Sequence, residues 1–372
     1  MGKKVIVSVI NDLVTDQRVH KVCMSLVSMG FEPVLVGRVL PNSLPMDERP
    51  YKTHRMRLIF KKGFFFYSEF NKRLFFYLLF HKAKLLVSND LDTLLPNYLI
   101  HKIKGIPIVY DSHEYFTEVP ELVNRPRTQA VWKRIESWMF PKLEDIFTVN
   151  DSIAELFEKD YGIRPRVVRN IPVKGKKVKP ATRKELGLSE EKKILILQGS
   201  GINIQRGSEE MVEAMKYIND AVLLIVGGGD VINTLKEMAK SPELNGKIVF
   251  KPKQSYQKLM QYTANADLGL TLDKDTNLNY RFSLPNKLFD YIHAGIPILA
   301  SPLPEIKKVI EEYDIGAFIP SHKPKEIAVK VNQILADQAL MHKWKKNLNF
   351  AAANLTWQNE EKELREVYKK YE

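Results

Sequence analysis

The stretch KILILQGSGINIQRGSEEMVEAMKYINDAVLLIVGGGD, residues 193–230, holds the unit from which the fold is read. KILILQG (193–199) and AVLLIVGGG (221–229) are short apolar runs closed by glycine, the pattern of strands buried on both faces. Between them, residues 207–218 carry apolar positions at helical spacing. Strand, helix, strand in that order predicts parallel strands joined by a crossover helix.

The same rhythm runs outward from this unit. Upstream, KVIVSVI (4–10), PVLVG (33–37), KLLVSN (84–89), IPIVYDS (106–112) and DIFTVN (145–150) read as strands, with helices over 16–29, 92–104 and 127–140. Downstream, KIVFK (247–251), DLGLTL (267–272), 296–300 and GAFIP (316–320) read as strands, with helices over 231–240, 255–263 and 286–293. Two helices, near 324–336 and 357–371, close the chain. NIPVKGKKVKP (170–180) has two prolines, a run of lysines and no core-facing period, so it reads as a linker. The expected fold class is α/β, two Rossmann-like doubly wound domains facing a cleft.

Composition agrees. A chain of 372 residues suits two domains, and 44% hydrophobic with 27% charged residues is a soluble globular balance. The single cysteine, Cys23, excludes an internal disulfide and fits a reducing cytoplasm. The N-terminus lacks a signal-peptide core, and no window has the roughly 18 uncharged residues of a membrane span. The net charge of +13 asks for an acidic partner: nucleic acid, anionic lipid or a phosphorylated substrate. No helix-turn-helix, zinc-finger or RNA-binding signature is present, so nucleic acid is not expected.

In doubly wound sheets ligands bind beyond the carboxyl ends of strands. LQGSGINIQRGSEEM (197–211) follows a strand and opens a helix; Gly199 and Gly201 permit close approach of a phosphate, and Arg206 supplies charge at the helix entry. A small-residue turn with a surface arginine is the plainer reading. VGGGD (226–230), with Gly228 at its centre, is either a tight turn or a place of close approach; neither loop is a dinucleotide fingerprint or a P-loop. IVYDSHEYFTE (108–118) puts Asp111, His113 and Glu114 past a strand end. INDLVTDQRVHK (10–21) brings Asn11, Asp12, Asp16 and Arg18 to line the cleft, or Asp16 caps the helix. No metal-ligand spacing such as H-E-x-x-H appears. FKKGFFFYSEFNKRLFFYLLFHKAK (60–84) holds ten aromatics between 60 and 80 with interleaved lysines and arginines. LFFYLLF (74–80) is apolar nearly all round, which suits contact with an anionic membrane surface; a buried helix under a long loop is the alternative.

These motifs together resemble the group 1 glycosyltransferases (glycosyltransferase family 4), retaining nucleotide-sugar enzymes of the GT-B fold. TVNDSIAELFEKDYGIRPRVVRNIPV (148–173) is similar to the family's end of the first domain, LLIVGGGD (223–230) to its L-x-I-V-G-x-G, and FDYIHAGIPILAS (289–301) to its E-x-M-x-x-G-x-P-V-x-A-S. The resemblance implies an acceptor-binding domain over 1–172, a linker over 173–182, a nucleotide-sugar domain over 183–352, and a last helix over 353–372 crossing back to the first domain. It places Arg206, with Lys287 and Asn286, at the donor diphosphate, Asp290 at the ribose and His113 near the donor sugar. Asn11, Asp12, Asp16, Arg18, Asp111 and Glu114 are then candidates for the acceptor side. Two positions depart from the family: Phe282 stands where its first glutamate would be, and Gly201 where an arginine is usual.

The implied function is a retaining, metal-independent hexosyltransferase with no cofactor. It would move a sugar from a nucleotide diphosphate-sugar, UDP being the family's commonest choice, to a glycan or lipid-linked acceptor in cell-surface polysaccharide synthesis. The expected location is cytoplasmic, peripheral on the inner face of the plasma membrane. The alternatives are a sugar-nucleotide 2-epimerase on the same fold, which would convert donor without an acceptor, and a non-catalytic GT-B scaffold protein.

Overall fold

Two all-parallel sheets organise the protein, described for residues 3–41, 43–174 and 181–372 in a computed structural model. Most of the linker, residues 175–180, lies outside the described residues. The chain divides into two compact units, one running to Asn170 and rejoined by Trp357–Glu372, the other Ile171–Thr356.

In the first unit β1 (Lys4–Asp12), β2 (Glu32–Arg38), β3 (Lys52–Met56), β4 (Leu85–Asn89), β5 (Ile108–Asp111), β6 (Asp145–Thr148) and β7 (Arg166–Val167) lie in the order 3-2-1-4-5-6-7. In the second, β8 (Lys193–Gly199), β9 (Ala221–Gly227), β10 (Ile248–Lys251), β11 (Leu268–Thr271), β12 (Ile298–Ala300) and β13 (Gly316–Phe318) lie in the order 10-9-8-11-12-13. The direction of winding therefore reverses between β1 and β4, and again between β8 and β11. Such reversals open a crevice at the carboxyl ends of the paired strands.

The central strands are apolar on both faces because helices cover both. Val5, Val7, Leu35, Val87, Val109 and Phe147 form one core of the first unit, completed by Trp357, Leu364 and Tyr368 of the helix Trp357–Lys369. That helix is fixed by Glu360, which accepts from both the backbone N–H and the guanidinium of Arg169. In the second unit Ile194, Ile196, Leu224 and Ile298 pack against Leu288, Phe289 and Ile292 of the helix Asn286–Ala294.

Several elements are absent from the sequence reading. β3 is an edge strand in which only Met56 is fully buried, so it shows no apolar run. The helices Asp151–Tyr161, Pro304–Tyr313 and Gln338–Asn354 were likewise not expected; the last buries only Trp344, Leu348 and Ala351 among lysines and asparagines. Three helices, rather than two, close the chain.

The aromatic segment is a helix, Gly63–Phe80, and it is not uniformly exposed. Phe66, Phe70, Leu74 and Leu78, four residues apart, are buried as one stripe. Phe64, Phe65, Phe76 and Phe80 are exposed, Phe64 at 78% and Phe80 at 77%. Among the described residues no helix is long and apolar enough to cross a membrane.

Candidate functional site

At the carboxyl edge of β8 and β11 a single buried carboxylate gathers two cations. Asp273, two residues past β11 and fully buried, accepts from Arg206 Nη1 at 2.8 Å through Oδ1. Its Oδ2 lies 3.4 Å from Lys287 Nζ and accepts from Thr271 Oγ1 at 3.2 Å. Burial would raise this carboxyl, but Lys287 and Arg206 outweigh burial and hold it below its ordinary value. Burial lowers the Lys287 ammonium, Asp273 opposes the fall, and Arg206 adds to it. Two positive charges thus share one negative partner, and the cluster keeps a surplus positive charge.

Local structure aims these groups at one edge. Arg206 leaves the loop after β8 with its guanidinium 4.6 Å over the Tyr280 ring, and its buried Nε has no partner among the described residues. Gly207, beside it, has φ +70°, and a Cβ there would sit 2.3 Å from the Leu272 carbonyl, so only glycine permits this close approach. Lys287 is the second residue of the helix Asn286–Ala294, whose N-terminal dipole end lies at the same edge, and Asn286 is exposed at its tip.

The glycine loops separate by role. A Cβ on Gly227 would meet the Gly199 carbonyl at 1.8 Å, and one on Gly229 the Ile202 carbonyl at 2.1 Å. These two glycines serve packing between the loops, which are also joined by Gly228 N–H to Gly199 O at 3.1 Å. A Cβ on Gly228 would meet nothing within 4 Å, and one on Gly201 only the Asn203 amide at 3.8 Å. Open space thus lies before Gly201, one of the two glycines expected near a phosphate, and before Gly228, whose loop was expected to be either a turn or a place of close approach.

Asp290 is buried one turn into the helix. Its carboxylate accepts from Gln198 Nε2 at 3.1 Å and from Tyr256 OH at 3.0 Å, and Gln198 in turn accepts from Thr263 Oγ1 at 2.6 Å. Phe282 ends the short helix Leu278–Arg281 and is half-buried.

In the first unit the reversal between β1 and β4 carries a second polar cluster. His113 Nδ1 lies 3.2 Å from Asp90 Oδ2, and Nε2 lies 3.1 Å from Asn89 Oδ1 and 3.4 Å from Asp111 Oδ2. Burial alone would lower the imidazole, but Asp90 and Asp111 outweigh it and push it up to about 10. His113 is therefore an imidazolium at neutral pH. Asp90 has φ +61°, a strained conformation for a residue with a side chain, and its Oδ1 accepts from the His113 N–H at 2.8 Å.

The other first-unit candidates divide. Arg18 donates to both Asp111 oxygens, at 2.6 and 3.0 Å, and to the Val168 carbonyl at 2.5 Å. Both side chains are 3% exposed, so the pair supports His113 from behind and presents no face to an acceptor. Asp16 caps the first helix by accepting from Val19 N at 3.1 Å, and Asn11 donates to its other oxygen at 3.0 Å. Asp12 is buried and accepts from Arg55 at 3.1 Å and Ser43 at 2.6 Å. Glu114 is half-buried beside His113 in sequence.

Sequence reading missed Asp273, Asp90, Asn89, Gln198 and Tyr256. Asp273 and Asp90 each follow a strand end, the position that the carboxyl-edge rule singles out, but neither lies in a motif.

Comparison with known proteins follows the same division. Residues 16–172 match the family described as Glycosyltransferase Family 4, and residues 178–349 the family described as Glycosyl transferases group 1. An N-acetyl-alpha-D-glucosaminyl L-malate synthase of Bacillus anthracis is 27% identical over 160 residues, 42% of this chain and 40% of that protein. The matches thus span less than half the length of the curated relatives, 40% and 46%. Sucrose-phosphate synthase from Thermosynechococcus elongatus superposes with a TM-score of 0.80 at 16% identity, over 99% of this chain and 98% of that one. Anabaena HepE in complex with UDP and glucose gives 0.74 at 13% identity, over 99% and 100%.

Proposed function

We propose, from the premise that this chain belongs to the group 1 glycosyltransferases and has their GT-B architecture, that it transfers a sugar from a nucleotide diphosphate-sugar to a hydroxyl acceptor. The observation that carries the reading is the Arg206–Asp273–Lys287 cluster at the reversal of the second sheet. A diphosphate leaving group gains charge as the glycosidic bond breaks, and fixed cations at a helix N-terminus stabilise that charge without reorganising. Arg206 and Lys287 take this role, with Asn286 beside them at the tip of the helix. Asp290, oriented by Gln198 and Tyr256, receives the ribose hydroxyls on its remaining lone pairs. We assign UDP as the nucleotide, supported by the UDP bound to the similarly folded HepE.

Retention follows in this reading if the acceptor hydroxyl enters on the face that the diphosphate leaves. The two cations supply the positive charge that a divalent metal provides elsewhere, so the proposed reaction is metal-independent and survives EDTA. His113 is the proposed contact to the donor sugar, and the first unit the acceptor side.

The acceptor is a glycan or lipid-linked saccharide presented at an anionic, inner-leaflet surface. Support comes from the exposed Phe64, Phe65 and Phe80 beside the exposed Lys61, Lys62 and Lys72. Serine at the three phenylalanines should release the protein from phosphatidylglycerol liposomes; unchanged sedimentation would remove the membrane from the account.

A thermal-shift panel of UDP-, GDP- and ADP-sugars tests the donor reading, because a ligand bound only to the folded state raises its stability. UDP-sugar should give the largest shift. No shift with any donor would contradict the proposal, and conversion of donor with no acceptor present would point to a 2-epimerase.

A further inference from the structure

At the outer edge of the first sheet a groove of about 370 Å³ opens between β3 and the helix Gly63–Phe80. The strand lines it with His54 and Met56, the helix with Arg73, Phe76, Tyr77 and Phe80, and His81 closes its end. Sequence spacing sets this lining. Residues 54 and 56 fall on one face of a strand, while 73, 76, 77 and 80 stand at i, i+3, i+4 and i+7, one side of a helix. β3 is first in the sheet order, so no further strand flanks it.

The lining has an apolar wall and a polar one. Phe76 and Phe80 are both exposed, with ring centroids 6.3 Å apart, and Met56 lies across from them. Tyr77 stacks on His54 at 4.5 Å and on His81 at 4.0 Å, which gathers the two imidazoles around one ring. Arg73 is steered by Glu69 at 2.7 Å. That carboxylate also accepts from the backbone N–H groups of Ile59 and Phe60, both at 2.9 Å.

Donors remain for a ligand. The other N–H groups of Arg73, and both ring nitrogens of His54, have no hydrogen-bond partner among the described residues. His81 donates from Nδ1 to the Tyr77 carbonyl at 2.7 Å, which leaves Nε2 for another group. Lys104 donates to the Leu78 and His81 carbonyls, at 3.0 and 3.3 Å, and adds a cation at the same end of the helix. No carboxylate lines the groove.

This pairing of walls selects an occupant. A bare anion would use the guanidinium and leave the exposed rings in water. A plain hydrocarbon would cover the rings and leave the cations without a partner. A phosphodiester that carries acyl chains uses both, because a guanidinium fork matches two phosphate oxygens and aromatic rings cover methylenes.

We propose that this groove binds the phosphodiester headgroup and first acyl carbons of a single anionic phospholipid. Arg73, His54 and His81 meet the phosphate, and Phe76 and Phe80 lie along the chains. The inference deepens the membrane-surface reading above and rests on it for the presence of a bilayer. It adds that the helix holds one headgroup in a site, where the earlier reading asks only for a negative plane.

Dihexanoyl phosphatidylglycerol, kept monomeric below its critical micelle concentration, presents the headgroup without a surface. Calorimetric titration into the full chain should show binding by wild type. Dihexanoyl phosphatidylcholine and inorganic phosphate should each bind at least fivefold more weakly. Arg73→Gln should weaken phosphatidylglycerol at least fivefold and Phe80→Ser at least threefold; both side chains are exposed, so melting temperatures should stay near wild type. No binding by wild type, equal affinity for the two lipids or for inorganic phosphate, or undiminished affinity in Arg73→Gln overturns the inference. Liposome sedimentation without monomer binding overturns the groove alone and leaves the docking surface. Monomer binding as expected, with sedimentation unchanged in the serine variant, removes the membrane and leaves the groove standing.

Discussion

The carboxylate of Asp273, fully buried, lies 3.4 Å from the ammonium of Lys287 and holds Arg206 with its other oxygen at 2.8 Å. Asp273→Asn leaves two neighbouring cations without their shared partner. Breaking a buried ion pair by removing one side costs about 3–5 kcal/mol, so the unliganded variant should melt well below wild type. The phosphates of UDP would return the missing negative charge, so the stabilisation by saturating UDP should be larger in the variant. Equal melting temperatures, or a smaller UDP shift, would contradict this role for Asp273.

The three glycines of VGGGD offer a contrast within five residues. Gly227→Ala drives a methyl to 1.8 Å from the Gly199 carbonyl and should unfold the second unit or destabilise it by several kcal/mol, about the scale of severe overpacking. Gly228→Ala meets no protein atom within 4 Å and should leave the melting temperature within a degree or two while weakening UDP severalfold. Unaltered UDP affinity in Gly228→Ala would make that loop a turn and nothing more.

His113 gives a pH signature with a definite sign. Its folded value, about 10, lies above its ordinary 6.5, so its stabilising contribution is complete below about pH 6.5 and is lost as pH rises through 10. His113→Gln should therefore be less stable than wild type by roughly 2–4 kcal/mol at pH 6, with the gap closing toward pH 10. Urea unfolding at several pH values measures it. A gap that is flat from pH 6 to 10 would show that the imidazolium is not formed.

Much of this was legible in the sequence because the central strands are buried on both faces and so spell continuous apolar runs. The candidates Arg206, Lys287 and Asn286 stand out in the sequence because each lies at or just before a helix entry; their place at a diphosphate is the proposal. What could not be read is charge balance. Asp273 sits in TLDKD, where nothing marks one carboxylate as buried and the next as exposed; only the approach of Arg206 and Lys287 from distant loops makes that difference. Arg18 shows the opposite case, a cation whose burial the sequence does not reveal. It follows a strand end as a site residue would, yet the helix Gln17–Ser28 turns it inward to Asp111 and Val168.

That buried pair supports a stability measurement. Arg18→Met leaves the buried Asp111 carboxylate with His113 as its remaining cationic partner, at a cost of up to about 3–5 kcal/mol. The loss should appear in the unfolding of the first unit and leave UDP binding in the second unit unchanged. A loss below about 1 kcal/mol, the range of exposed pairs, would contradict the placement.

The account's central claim is that Arg206 and Lys287 receive the donor diphosphate, and calorimetric titration of UDP into wild type, Arg206→Ala and Lys287→Ala tests it most directly. Each charge-assisted bond to phosphate contributes about 1.5–3 kcal/mol, so each variant should bind UDP about 10- to 100-fold more weakly than wild type. Equal affinity in all three proteins, or no binding of UDP by wild type, would contradict the claim.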